Sequence, residues 1–306
     1  MDYSILIGKM VIFSVLMLIG YFLARKGLVD KAFGRSASML VINVFLPATI
    51  FHSTFAIGEV LAPHELGRLL LILTLTLCVG FALAAITARL VPIGRDENKG
   101  PMFELLLALS NTMFIALPIA QELFGAVGVF YCALACIPFN LYAYTYGVWR
   151  LKSGHSGLRI KDVFSLPLVA TLLGTLVFFF RLPVPGIVRD LAASLNGATL
   201  PMSLLVIGLT MGSVSLTDAF KDPTLYLVSF LRDLLIPLIT YWIIRQLTDD
   251  YVLLMTCMLM AASPSAVMGS VLAIQYGRDG VYGSQGVLQS TVFSMFTIPL
   301  LLLILG

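Results

Sequence analysis

The sequence predicts an all-α polytopic membrane protein of ten transmembrane helices, and three observations carry that expectation. Of its 306 residues, 59% are hydrophobic and only 11% charged, whereas a soluble globule needs about 25% charged residues to wet its surface. The mean hydropathy is +0.99. Apolar runs of about 20 residues, the length a helix needs to cross the hydrocarbon, recur along the chain with short connections between them. That layout leaves no room for a soluble enzyme domain. The net charge of +3 is scattered between the runs and forms no surface for nucleic acid.

Taken in order, the first span covers 4–24 and follows directly on Met1–Ser4. With no small-residue cleavage site it is expected to stay in the membrane rather than be removed as a signal. The second, 37–56, contains Asn43 and Pro47 and then His52; the third covers 69–91. The fourth, 103–123, opens near Glu104 and carries the polar stretch Ser110-Asn111-Thr112 with Pro118 beyond it. The fifth, 127–149, contains Cys132 and Cys136. Together with Cys78 and Cys257 these are expected to be small buried hydrophobes, because thiols without His or carboxylate neighbours make a poor metal site. The sixth and seventh cover 163–180 and 197–215. The eighth, 225–245, carries Arg232 and Asp233 well inside it; the ninth, 251–275, contains Ser263-Pro264-Ser265 and Gly269; the tenth covers 285–305.

Loop charge orients these spans. Loops after odd-numbered helices hold 13 of the 19 Lys and Arg residues and loops after even-numbered helices hold 4, with Lys9 and Arg232 inside spans. Positive charge is retained in the cytoplasm. The expected location is the plasma membrane, the inner membrane of a bacterium, with both termini outside.

Five helices per half make the second half enter from the opposite side. Weak internal likeness supports two such halves. Asn43 to Pro47 resembles Asn196 to Pro201, Leu123-Phe124-Gly125 resembles Gln275-Tyr276-Gly277, and Ile137-Pro138 resembles Ile298-Pro299, all in matching order. The expected organisation is a first repeat at 1–150, a cytoplasmic linker at 151–162 and an inverted second repeat at 163–306. Inverted repeats suit alternating access to a site between them.

Helices 4 and 9 carry the chemistry. Proline removes a backbone donor and clashes with the preceding turn, and Pro118, Pro264 and Gly269 stand beside Ser110, Asn111, Thr112 and Ser265 at mid-membrane. Irregular backbone at that depth persists only where protein or a water-filled cavity satisfies it. A broken helix presents a half-helix N-terminus whose partial positive charge attracts an anion. The asparagine amide can bind a carboxylate without adding a buried charge. These residues, with Asn43 and Pro47, are the expected substrate site.

At the same residues the chain resembles the auxin efflux carrier family over essentially its whole length. The resemblance rests on Asn43 to Pro47, on Asn111 with Pro118 and Gly125, and on Ser263-Pro264 through Tyr276-Gly277 into Ser290-Thr291 and Ile298-Pro299. It implies ten helices in two inverted repeats, split into a scaffold and a transport domain, with helices 4 and 9 crossing at their breaks as in the bile-acid symporters and sodium/proton antiporters. It also implies transport of small organic anions, auxin in plants and malate- or malonate-like acids in bacteria, with efflux the expected direction. The short 151–162 linker looks like a bacterial form. Gly269 stands where some relatives place a second proline, and Gly277 where plant members have a polar residue.

Intramembrane ionisable groups default to functional hypotheses. Arg232 and Asp233 are candidates for ion coupling or structural pairing, as are Glu104 and His52, while Lys9 is expected to snorkel. No carboxylate cluster resembling a sodium cage is present, and no cofactor is implied. Coupling to sodium, coupling to protons and uncoupled flux all remain open, as does a symporter of a different organic solute. The expected partners are a small organic anion and the lipid bilayer, with a homodimer as an open alternative and no nucleic acid. A channel and an intramembrane enzyme are the competing classes; the latter lacks a nucleophile–base pair or ligand set at mid-depth.

Overall fold

A computed structural model describes residues 3–57, 63–152, 165–276 and 278–306. The chain is all-helical, and among the described residues the only β-type pairing is an isolated bridge between Ser110 and Ser265. Among the described residues six helices are long and apolar enough to cross a membrane: Ala32–Thr54, Leu66–Leu90, Thr112–Leu151, Gly186–Gly212, Pro223–Ile244 and Gly280–Leu305. The apolar helices Val11–Arg25, Leu166–Phe180 and Tyr251–Ala262 are shorter.

In chain order, α1 is Tyr3–Arg25 and α2 covers 31–57, with a π turn at Val41–Phe45. α3 is Leu66–Leu90. α4 is interrupted, its first half Gly100–Ala108 and its second half beginning with the π turn Thr112–Ala116. The 40-residue stretch Thr112–Leu151 would be about 60 Å long as one helix, twice the bilayer core. Gly125 divides it: φ 61° and ψ −146° lie where only glycine sits without strain, so α4 ends there and α5 covers 126–151. α6 is Leu166–Phe180 and α7 is Gly186–Gly212. α8 covers 223–244 with a π turn at Leu231–Leu235. α9 is also interrupted, into Tyr251–Ala262 and Val267–Gln275, and α10 is Gly280–Leu305.

Short polar side chains start five of these helices. Asp30, Ser165, Asp222, Asp250 and Asp279 each accept a hydrogen bond from a first-turn N–H, the usual N-cap arrangement. α2 and α7 begin earlier than their apolar runs, at Lys31 rather than 37 and at Gly186 rather than 197. Their first turns carry Lys31, Arg35, Arg189 and Asp190, which are helical without being hydrophobic, so these charges stand on helices rather than in loops. Most of the 151–162 linker, with His155, lies outside the described residues, as does Gly277. Cys132, Cys136 and Cys257 are buried as expected, whereas Cys78 is exposed on the outer face of α3.

Three prolines shape the bundle through one mechanism. Pro47, Pro118 and Pro237 each stand two residues beyond a π turn. A proline cannot donate to the carbonyl four residues back and its ring crowds that oxygen. The preceding turn therefore widens to the i→i+5 pattern, which is uncommon and often found at functional sites.

The helices form two groups. In one, α1 lies along α7, and α2 packs on α6 and α7. Close approach at α1–α7 depends on glycine: a Cβ at Gly208 would fall 2.8 Å from Tyr21 N, and one at Gly212 2.7 Å from Ala24 Cβ. The 208/212 spacing is the small-xxx-small pattern that lets membrane helices touch backbone to backbone. In the other group α3, α5, α8 and α10 pack around the two interrupted helices, α4 and α9. The groups meet where α2 and α6 pack on α5 and where Lys9 of α1 pairs with Glu122 of α4, Nζ to Oε2 3.1 Å.

Candidate functional site: the crossing of two broken helices

The gaps in α4 and α9 lie against each other and complete each other's backbone hydrogen bonding. The Asn111 N–H donates to Pro264 O at 2.8 Å and the Ala266 N–H to Leu109 O at 2.8 Å. An interrupted helix leaves orphan carbonyls that must find partners when buried. Here Leu105 O accepts from the Leu109 N–H, Leu106 O from the Ser265 hydroxyl at 2.7 Å, and Leu107 O from Arg232 Nη1 at 3.4 Å. On α9, Ser263 donates back to Leu259 O at 3.0 Å. Ser110 and Thr112 join their hydroxyls at 2.9 Å. Ser110, Asn111, Thr112, Ser263 and Ser265 are all buried.

The crossing brings together four helix ends: the C-termini of the first halves, with partial negative charge, and the N-termini of the second halves, with partial positive charge. Neither second half is capped by a side chain. α8 supplies two buried ionisable side chains here, one on this backbone directly and one through a hydroxyl. Its π turn, widened by Pro237, presents Arg232 and Asp233, 2% and 0% exposed. Arg232 meets one C-terminal carbonyl of the first half of α4, Leu107 O. Asp233 Oδ1 accepts from the Ser290 hydroxyl of α10 at 2.7 Å, and Ser290 Oγ in turn accepts the Ser265 N–H at 3.0 Å. Asp233 is thereby tied through one hydroxyl to the break in α9. Arg232 Nε and Nη2 and Asp233 Oδ2 are buried and meet no partner.

Of the residues singled out in the sequence, Ser110, Asn111, Thr112, Pro264, Ser265, Arg232 and Asp233 come together at this crossing. The rest do not. The break in α4 falls at 109–111, so Pro118, seven positions beyond Asn111, lies within its second half and acts through the π turn. Gly269 is likewise not the bend of α9: the break precedes it at 263–266. It stands inside the second half, where a Cβ would meet Met102 Cε at 3.2 Å, and lets that segment lie against the first half of α4. Asn43, within the π turn of α2, and Pro47 pack towards α6 and α7, and His52 lies further along the same helix. Glu104, one turn before the break, accepts from Tyr146 Oη and Arg150 Nε of α5, each at 2.6 Å. Sequence reasoning missed the role of Ser290 as the link to Asp233, and it missed Gln289, fully buried with neither amide atom bonded. An amide beside Ser290 and Thr291 in the tenth span was the available signal. A small apolar cavity of about 30 Å³ lies between α1, α4, α7 and α10, lined by Phe13, Met17, Ile115, Leu204 and Ile298, where the second half of α4 meets the α1–α7 group.

A family model described as "Membrane transport protein" matches residues 5–161 and 150–302. A protein of Methanothermobacter thermautotrophicus named an uncharacterized transporter is 30% identical over 293 residues, covering 94% of each chain. A second uncharacterized transporter, from Methanocaldococcus jannaschii, is 27% identical over 298 residues, again covering 94% of each.

Proposed function

The chain belongs to the membrane transport protein family, the family of the auxin efflux carriers, and from that premise we propose that it is a secondary carrier of small organic anions, working by alternating access at the crossing of α4 and α9. The observation that carries this reading is the reciprocal pairing of the two breaks, Asn111 N–H to Pro264 O and Ala266 N–H to Leu109 O. Backbone built this way at mid-membrane costs helix hydrogen bonds, and a solute site at the uncapped helix ends accounts for it. The uncapped N-termini at Thr112 and Val267 favour negative charge, and Arg232, on Leu107 O of the same crossing, adds a formal positive charge.

In this reading the ten helices are ten crossings in two inverted halves, 1–150 and 163–306, with both termini outside the plasma membrane. The Thr49–Thr199 hydroxyl pair at 2.6 Å, which joins α2 to α7, supports the pairing of equivalent helices. The α1, α2, α6 and α7 group is the scaffold and the remaining helices are the transport domain. Outward movement of an accumulated acid is the direction proposed.

The test is uptake and counterflow of radiolabelled mono- and dicarboxylates, malonate among them, in proteoliposomes. Wild-type protein should transport at least one of them, and Asn111→Ala should reduce transport at least about tenfold, the loss of a hydrogen bond to a charged ligand. Wild-type rates for Asn111→Ala would refute the assigned site.

A further inference from the structure

The two charges of α8 have unequal surroundings, and the difference has a chemical consequence. Asp233 Oδ1 already accepts the Ser290 proton, because the Ser290 oxygen is itself occupied by the Ser265 N–H. Oδ2 is buried with no donor. An ionised carboxylate left so in a low-dielectric interior is costly unless something neutralises it. The arrangement thus reserves one oxygen for a proton and wires the other to the α9 break. Arg232, next in the chain, spends Nη1 on Leu107 O and leaves Nε and Nη2 unpaired. Those two N–H groups form one edge of the guanidinium, the fork that fits a carboxylate bidentately.

We propose that Asp233 is a proton-binding site that couples anion transport to proton movement, with Arg232 as the counter-charge it controls. When Asp233 is ionised, the Arg232–Asp233 pair is net neutral and the crossing has little hold on an anion. When a proton from the aqueous phase to which the site is open bonds to Oδ2, the pair becomes net positive. The Arg232 edge then takes the substrate carboxylate. Substrate and proton bind in mutual dependence, each strengthening the other by the same factor, and they leave together when the site opens to the other side. Neutralising Asp233 also weakens the hydrogen bond from Ser290 and hence the hold on the Ser265 N–H, which passes the protonation state to the helix break that must rearrange.

The helices packed against the α8 π turn are α10, the first half of α9 and the first half of α4. Their titratable groups are Tyr282, hydrogen-bonded to Thr224; Tyr251 and Cys257; and Glu104, held by Tyr146 and Arg150. α3 lies against the end of α8 with Arg68, Cys78 and Arg89, and α8 itself adds Tyr226 and Tyr241, with Arg245 just beyond its end. Among them Asp233 is the carboxyl group tied to the crossing.

The proposal rests on the carrier reading above, and the experiment separates the two. Proteoliposomes containing an internal pH dye are given labelled malonate across a range of external pH. Wild-type protein should carry protons inward with malonate, with apparent affinity rising as pH falls, by up to about tenfold per pH unit for one coupled proton. Asp233→Asn, which mimics the neutral form, should retain malonate counterflow but lose both the proton movement and the pH dependence. Should that variant not fold, Ser290→Ala removes the donor to Oδ1, together with the acceptor of the Ser265 N–H, and should displace the pH midpoint. Malonate flux without protons in wild type, a coupled proton surviving in Asp233→Asn, or an unmoved midpoint in Ser290→Ala would each overturn the coupling and leave the carrier reading intact. Absence of carboxylate flux from wild type at every pH would instead overturn the carrier reading, and this proposal with it.

Discussion

Replacing Arg150 by methionine strands the Glu104 carboxylate. Its side chain is 3% exposed against 27% for Arg150, and its two oxygens accept from Tyr146 Oη and Arg150 Nε at 2.6 Å each. Removing one partner of a buried ion pair costs about 3–5 kcal/mol because the other charge is left uncompensated. Arg150 is a quarter exposed, so water reaches that side and reduces the loss to about 2–3 kcal/mol. Glu104→Gln is milder: it keeps an acceptor for Tyr146, removes the charge and lets Arg150 turn outward, for about 1–2 kcal/mol. The double variant should cost less than the sum by about 1–2 kcal/mol, since the neutral amide no longer needs a cation. At about 2 °C per kcal/mol for a chain of this size, Arg150→Met lowers the melting temperature by about 4–6 °C and Glu104→Gln by about 2–4 °C. The assay is thermal unfolding in detergent at one scan rate, because unfolding of such proteins is usually irreversible and the apparent midpoint depends on that rate. Equal losses in the two single variants, or strict additivity in the double, would refute the claim that Glu104 is a buried charge dependent on Arg150.

Two further outcomes follow from packing and capping. Gly208→Ala should destabilise by about 1–3 kcal/mol, because the new methyl meets the backbone of α1. Gly197→Ala on the same helix meets nothing within 4 Å and should be neutral or stabilising by up to about 1 kcal/mol; melting of both variants checks the contrast. At the α8 N-cap, burial pushes the Asp222 carboxyl up. The Thr224 hydroxyl, the Thr224 N–H and Lys99 outweigh it and hold the carboxyl below its ordinary value. Its contribution is therefore present above the unfolded carboxylate pKa of about 4 and lost as pH falls through the lower folded value. Melting between pH 7 and pH 3 should show Asp222→Asn less stable than wild type at neutral pH, with the gap closing in acid. A constant gap would count against the assignment.

Much of the architecture was legible because the bilayer restricts it. The positions of the spans, the division between the fourth and fifth near Gly125 and the polar stretches at 110–112 and 263–265 are local features. Each follows from hydropathy or from a polar side chain or proline within an apolar run. The charged first turns of α2 and α7 were not legible as helix, because hydropathy reports the membrane and says nothing of a helix that extends beyond it.

The sequence by itself determined that the chain is a bundle of apolar helices with two of them interrupted, since those properties depend on neighbours along the chain. Only the tertiary structure decided where the interruptions fall and what completes them. Pro118 marked the wrong turn of α4: a proline perturbs the carbonyl four residues before it and can be absorbed by a π turn, whereas the open backbone at 109–111 is held by Pro264, Ala266, Ser265 and Arg232 from elsewhere in the chain. The same holds for Asp233. Its sequence shows a carboxylate inside a span, but the serine that occupies one oxygen stands 57 residues away on α10, and only folding brings the two together.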